Sequence, residues 1–431
     1  LMANTYLSRT FSNSTDRKKW TISVWLKRSS TSGNQTIVSG NSSNNKIHFL
    51  GSNNTLDIVQ WSGSYQYRLR TSRVFRDTSA WYHLVIAVDT TLNTADNRVR
   101  LYVNGVEETS FADRNNPSQN FDTSWNDSEA NFICKEGDNY FDGSMSHFHF
   151  CDGTALAPTV FGSTDSTTGE WKINTSPSFT LGNNGFTILK DGNTITDQSS
   201  NSNNFTLGGG TLTKTNDCPD NVFATLNPLI KTYGTQVFSN GNTSSINSTN
   251  EPAWAHAIAT LGASTGKYYW EIKVSGSTPW IWTGIISEAV DVSTQYLYNS
   301  NAGTFLYGNN GNKYVNASAT SSFFATLATN DIVSVALNLD DNKITFYKNG
   351  TATPNATPLD LPTNLSSTTV FPATTIVNGA SIKSNFGNGY FGTTAITTNS
   401  GNGYAGAEGA SKFNYQPPSG YSALNTKGLN Q

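Results

Sequence analysis

A chain of 431 residues exceeds what one ordinary hydrophobic core organises and suits two or three domains. Only 13% of the residues are charged and the formal net charge is −3, which leaves no footprint for nucleic acid, while 12% are aromatic, which excludes a disordered stalk. No stretch of about 18 apolar residues is present to span a membrane. The three cysteines Cys134, Cys151 and Cys218 are an odd number, which excludes a full disulfide framework.

Strand patterning dominates from the start. In residues 20–27, Ile22, Val24 and Leu26 alternate onto one face. Residues 81–88 read as a second strand, long and rich in β-branched residues. In residues 98–106, Val99, Leu101 and Val103 alternate with polar residues, and Asn104-Gly105 supplies the pair of positive φ angles that a type I′ hairpin needs. Residues 163–230 are rich in Asn, Ser and Thr. Within them 186–189 and 204–207 suggest a short two-strand unit punctuated by Gly208, Gly209 and Gly210, read as a small β-rich linker packed on one or both neighbours. Strands return at 268–274, 331–339 and 343–350, the last closing on Asn349-Gly350. A long strand, a short loop and a strand ending Tyr-x-Asn-Gly therefore occur twice, at 81–105 and 331–350, too far apart for a solenoid. They predict two separate sandwiches of one topology, with helices short or absent.

The segments 20–27, 81–84 and 101–105, with Phe141-Asp142-Gly143-Ser144-Met145, together resemble the laminin G-like/concanavalin A-like superfamily, in which a Phe-Asp-Gly turn opens the last strand of the sandwich. Residues 266–271, 331–333 and 344–350 resemble a SPRY domain, itself a concanavalin-like double sheet, which accounts for the internal echo. Three connecting phrases are more specific. They are Asp152-Gly153-Thr154-Ala155-Leu156-Ala157-Pro158 with Phe161-Gly162 and Gly169-Glu170-Trp171, then 217–228 from Asp217-Cys218-Pro219, and 415–425 from Tyr415-Gln416-Pro417-Pro418. In this order they are similar to large virion-associated proteins of marine and cyanobacterial tailed phages, over nearly the whole chain. In those proteins an extra leading strand usually precedes the Tyr-Leu-Ser-Arg-Thr phrase, which here begins at Tyr6, as suits a piece of a longer protein with its anchor upstream.

The resemblance implies an all-β chain: two concanavalin-like jelly-roll β-sandwiches in tandem joined by a small β-rich linker. The expected divisions are 1–162, 163–230, 231–399 and a C-terminal extension, 400–431. It also implies a place on the virion surface after assembly in the host cytoplasm, where Cys134 and Cys151 stay reduced. Expected partners are other virion proteins and a host cell-surface glycan or receptor, with no nucleic acid, no membrane insertion and no cofactor. A homo-oligomer is expected, in the form of a trimer.

Glucanases of this superfamily need paired carboxylates on one strand face, about 5–5.5 Å apart for retaining chemistry. The nearest match, Glu136-Gly137-Asp138-Asn139, lacks the second Glu, and Gly137 marks a turn, so a solvated hairpin loop is expected. His147, His149 and Cys151 share one strand face and could begin a zinc site, but a fourth ligand is missing; an exposed histidine pair and no metal are expected. Gly208-Gly209-Gly210 and Gly401-Asn402-Gly403 lack a following Lys-Ser/Thr and are turns. Trp280 and Trp282 place two indoles on one side of a strand, with Tyr296 and Tyr298 near in sequence. These four are the candidate ligand-binding residues, weighed against the commoner role of such rings as core or interface anchors. The function expected is that of a non-enzymatic virion structural or adhesion protein: a tail fibre, spike or capsid decoration contacting host glycans or protein. The alternative is a tail-associated glycan-depolymerising hydrolase. A secreted lectin would carry a signal peptide and paired cysteines, and neither is evident.

Overall fold

Alternation along Lys19–Arg28 sends Trp20, Ile22, Val24 and Leu26 into a core and Ser23 and Trp25 to the opposite face, as the two-residue strand period requires. The structure is a computed structural model that describes residues 4–40, 45–190, 192, 194–230, 234, 236–247, 254–276, 280–293, 296–352 and 358–430. It is 44% strand and 3% helix, and no helix among the described residues is long and apolar enough to cross a membrane. The chain divides into two units, Leu1–Lys214 and Thr215–Gln431.

In the first unit Lys19–Arg28 lies within a six-stranded antiparallel sheet. The order is Phe186–Ile188, Gly143–Asp152, Lys19–Arg28, Tyr82–Asp89, Val99–Val103, Val106–Glu107. An eight-stranded sheet packs over it, in the order Phe111–Asn115, Tyr65–Val74, Thr55–Trp61, Asn45–Phe49, Gln35–Gly40, Ala130–Ile133, Tyr6–Thr10, Thr206–Gly209. Phe49, Ile58, Leu69, Leu84, Leu101 and Phe148 fill the space between. The segment expected as a linker contributes an edge strand to each of the two large sheets of this unit: Phe186–Ile188 pairs with Gly143–Asp152, and Thr206–Gly209 with Tyr6–Thr10. Its Asn residues work as scaffolding. Asn201 Nδ2 donates to the carbonyls of Gly182 and Gly185 at 2.6 and 2.9 Å, and Asn203 Nδ2 to those of Asn183 and Gly185 at 2.9 and 2.8 Å.

The second unit repeats the architecture. One sheet runs Gln236–Ser239, Ser244–Asn247, Ser381–Asn385, Lys267–Val274, Ile332–Asn338, Lys343–Lys348, Thr351–Ala352. Its partner runs Ala255–Ile258, Val370–Ile376, Ile281–Ser287, Gly303–Tyr307, Lys313–Val315, Ser318–Thr320. Trp270, Val333, Val335, Ile344 and Phe346 lie in the core shared by both. The C-terminal extension also joins in, since Ser422–Ala423 pairs in parallel with Tyr268 and Tyr269.

Both hairpins carry the expected turn. Asn104 and Gly105 sit at φ 48° and 79°, Asn349 and Gly350 at 50° and 80°. Asn104 Oδ1 accepts the backbone N–H of His83 at 2.8 Å, and Asn349 Oδ1 that of Ile332 at 2.8 Å. Leu101 and Val103 line the first core. Val85 is buried too, but on the other side of its sheet, because its neighbours Leu84 and Ile86 take the inward positions.

Candidate functional site

Strand parity builds the aromatic cluster of the second unit. In Ile281–Ser287, Ile281 and Ile285 point to the inter-sheet core, so Trp282 and Ile286 point outward. The register sets Trp282 opposite Tyr307, and the two rings stack at 3.8 Å and 6°. Tyr298, from the short 3-10 turn Leu297–Asn299, stacks on the same indole at 4.8 Å and 11°. Trp254 meets Trp282 at 4.5 Å, Tyr298 at 5.2 Å and Tyr296 at 5.4 Å, and Tyr314 meets Tyr298 at 4.9 Å.

The four sequence candidates therefore part company. Trp282 is 3% exposed, held between two parallel rings, and has no face left for a ligand. Trp280 lies just before the strand and packs against both the inter-sheet core and the outer cluster. Tyr296 is 41% exposed, and together with Tyr298, Trp254 and Tyr314 it forms a rim around the buried indole. Sequence reasoning missed Trp254 and Tyr314, which reach the cluster through sheet register, with no local spacing to announce them. Burial, then the neighbouring phenols of Tyr314, Tyr296 and Tyr307, push the Tyr298 hydroxyl up to about 12, so it stays a neutral donor and acceptor at physiological pH.

The other candidates lie in the first unit. Glu136 sits in a two-residue hairpin, Lys135–Glu136 against Asn139–Tyr140. It accepts from Lys46 Nζ at 3.0 Å and Asn139 Nδ2 at 2.9 Å. Burial works to raise its carboxyl, but the bonds from Asn139 and Lys46 outweigh it and hold the group below its ordinary range, a poor state for a general acid. The expectation of an exposed histidine pair is corrected. His149 is buried beside Phe161 and Phe179, because residues 154–181 fold back across the outer face of the six-stranded sheet. His83 lies under the same cover. It stacks on Trp25 at 4.7 Å and 13°, accepts Trp171 Nε1–H on Nδ1 at 2.9 Å, and lies 2.9 Å from Ser23 Oγ through Nε2. Accepting on Nδ1 leaves the proton on Nε2, so Ser23 is the acceptor there.

The second unit has a cover of the same kind. Phe413 and Ala423 pack on Tyr269 and Ala336, on the outer side of their sheet. Below them the buried Glu271 accepts the backbone N–H of Asn414 at 2.9 Å and of Tyr415 at 2.8 Å, with Asn385 Nδ2 at 3.1 Å. In both units an aromatic ring of the cover presses on the hairpin glycine. A Cβ on Gly105 would stand 2.3 Å from Trp171, and one on Gly350 would stand 2.4 Å from Tyr415.

Comparison with known proteins agrees with this architecture. Residues 2–161 match the family model of the Concanavalin A-like lectin/glucanases superfamily, and residues 267–389 match that of the SPRY domain. The chain carries a concanavalin-like N-terminal domain and a SPRY-like C-terminal domain. Similar solved structures include the SPRY domain of human HERC1, at 16% identity over 35% of this chain and 91% of that one, with a TM-score of 0.29. The TRIM65 PSpry domain is similar at 14% identity over 37% and 88%, with a TM-score of 0.30. A human SPRY domain is similar at 15% identity over 35% and 93%, with a TM-score of 0.28. No curated protein matches the chain. The aromatic residues from Trp280 to Tyr314 fall inside the SPRY match, whereas Trp254 and Tyr415 fall outside it, and Trp171 lies beyond the first match. Domains of both types are common in binding and adhesion.

Proposed function

We propose that this chain is a non-enzymatic adhesion protein on the outside of a phage particle, displayed as a tail fibre, spike or capsid decoration. The aromatic rim of the SPRY domain contacts a host-surface glycan or protein. The observation that carries the reading is the rim itself: Tyr296, Tyr298, Trp254 and Tyr314 ringed around an indole already closed on both sides. Such rings offer faces for the C–H surface of a sugar and hydroxyls for its oxygens. The virion setting is supported by the ordered connecting phrases and by a surface with few charges for partners to grip. Assembly as a homo-oligomer, with a trimer as the leading form, belongs to the same reading.

Binding to purified host-surface polysaccharide, measured by calorimetry, tests it. Tyr296→Ala should weaken binding about tenfold, the equivalent of about 1.4 kcal/mol, with no change in thermal midpoint. Undiminished binding by both Tyr296→Ala and Tyr314→Ala would rule out the rim. The non-enzymatic part is tested by counting reducing ends released from the same polysaccharide and from laminarin. Release that vanished in Glu136→Gln or Asp138→Asn would make the chain a hydrolase. Reconstruction of the intact particle tests the placement and the copy number.

A further inference from the structure

The concanavalin A-like domain also shows large rings to solvent. Trp61 and Tyr65 stand at the two ends of the turn between Thr55–Trp61 and Tyr65–Val74, paired across the hairpin, and each is 42% exposed. Scattered exposed aromatics need no explanation. These two touch: their centroids are 4.8 Å apart and their planes meet at 80°. The rings form an open corner, unlike the closed stack around Trp282. At the tip between them, a Cβ on Gly63 would meet nothing within 4 Å, so the corner is unshielded from that side.

The corner is held in place. Arg68 lies over the Tyr65 ring, its guanidinium carbon 4.7 Å from the centroid, and Nη1 donates to the Tyr65 hydroxyl at 3.0 Å. The same guanidinium is fixed on Asp57 by Nε at 3.1 Å and Nη2 at 2.8 Å, and it meets Asp113 at 3.3 Å. Asn115 Nδ2 donates to the Tyr65 carbonyl at 3.0 Å. Since the phenol oxygen accepts from Arg68, its own O–H is left to donate to a ligand. Arg68 pairs with both Asp57 and Asp113, and Arg70 is register partner to the same two residues, so two guanidinium and two carboxylate groups stand in formal balance beside the corner. A charged ligand gains nothing from such a site, whereas a polyhydroxylated neutral one gains an aromatic face and a fixed donor.

We infer that Trp61 and Tyr65 form a second saccharide site, in the concanavalin A-like domain, that takes an uncharged pyranose. This extends the adhesion reading and rests on it. The test titrates the full chain with neutral hexasaccharides (laminari-, cello-, malto- and mannohexaose) by calorimetry, at low and high salt. At least one sugar should bind with an affinity that changes less than twofold with salt. Trp61→Ala should remove that binding. Tyr65→Phe keeps the ring and should weaken it three- to tenfold, a loss that a purely structural ring would not show. Tyr296→Ala should leave it intact. Unchanged binding in Trp61→Ala overturns the inference while the rim of the SPRY domain stands. A steep salt dependence, or a Trp61→Ala defect confined to self-association or to capture of another particle protein, overturns it in favour of a charged or protein occupant. Absence of binding by the unaltered chain to these sugars and to host polysaccharide overturns this site and the glycan reading together.

Discussion

Glu271 and His83 lie buried beneath returning segments of their own domains, and they answer pH in opposite directions. Burial pushes the Glu271 carboxyl from its ordinary 4.5 up to about 7, against the pull of the Asn414 and Tyr415 N–H groups, Asn385 and Tyr269. Between those values the folded SPRY domain binds more protons than the unfolded chain. The cost of burying the carboxylate is absent below about 4.5, grows through the window and is complete above about 7. Burial, then neighbouring His147, lowers His83 from 6.5 to about 3, and burial likewise lowers His149 to about 3. Here the unfolded chain binds the extra proton, so the concanavalin A-like domain is fully stabilised above about 6.5 and weakens as pH falls toward about 3. Scanning calorimetry from pH 8 to pH 5 should show these sites lowering the melting point of the first domain and raising that of the second. Glu271→Gln should flatten the response of the second domain alone, and His83→Phe should blunt that of the first.

At the scale of elements, the two Asn-Gly hairpins are legible in the sequence because their signals are local. Alternation spans a few residues, and the turn dipeptide names its own backbone angles. What lies over each hairpin is not local. Trp171 presses on Gly105, and Tyr415 on Gly350, across stretches of more than sixty residues that no periodicity connects. The same distance effect explains why the sequence alone predicts an exposed His149: its strand face follows from parity, but the segment covering that face does not. In the aromatic cluster, the nearness of Tyr296 and Tyr298 to Trp282 could be read from the sequence. The closing of Trp282 by Tyr307 depends on sheet register and could not. Gly105→Ala combines a left-handed backbone with a Cβ driven into Trp171 and should cost about 2–4 kcal/mol. Gly350→Ala should do the same against Tyr415. Urea titration monitored by tryptophan fluorescence would show each loss in one transition and leave the other in place.

For the whole molecule, a domain is more than the stretch that matches its family. The first match ends at residue 161, yet Phe186–Ile188 and Thr206–Gly209 complete its two large sheets, and Trp171 and Phe179 join Phe161 in roofing the face that carries His83, Val85, Ala87 and Tyr102. A fragment ending at 162 should therefore bind a hydrophobic dye and aggregate, whereas one ending at 214 should stay monodisperse and melt cooperatively. Equal behaviour of the two fragments in light scattering would show that the later segment is dispensable. On the ribosome, the same arrangement leaves a nascent first sandwich with one bare sheet face and two unpaired edges for the time it takes to translate some fifty further residues, at about 5–20 residues per second. During those seconds, chains growing side by side on one message could pair through the open edges. Once Thr206–Gly209 has emerged and docked, both edges are occupied by the chain's own strands.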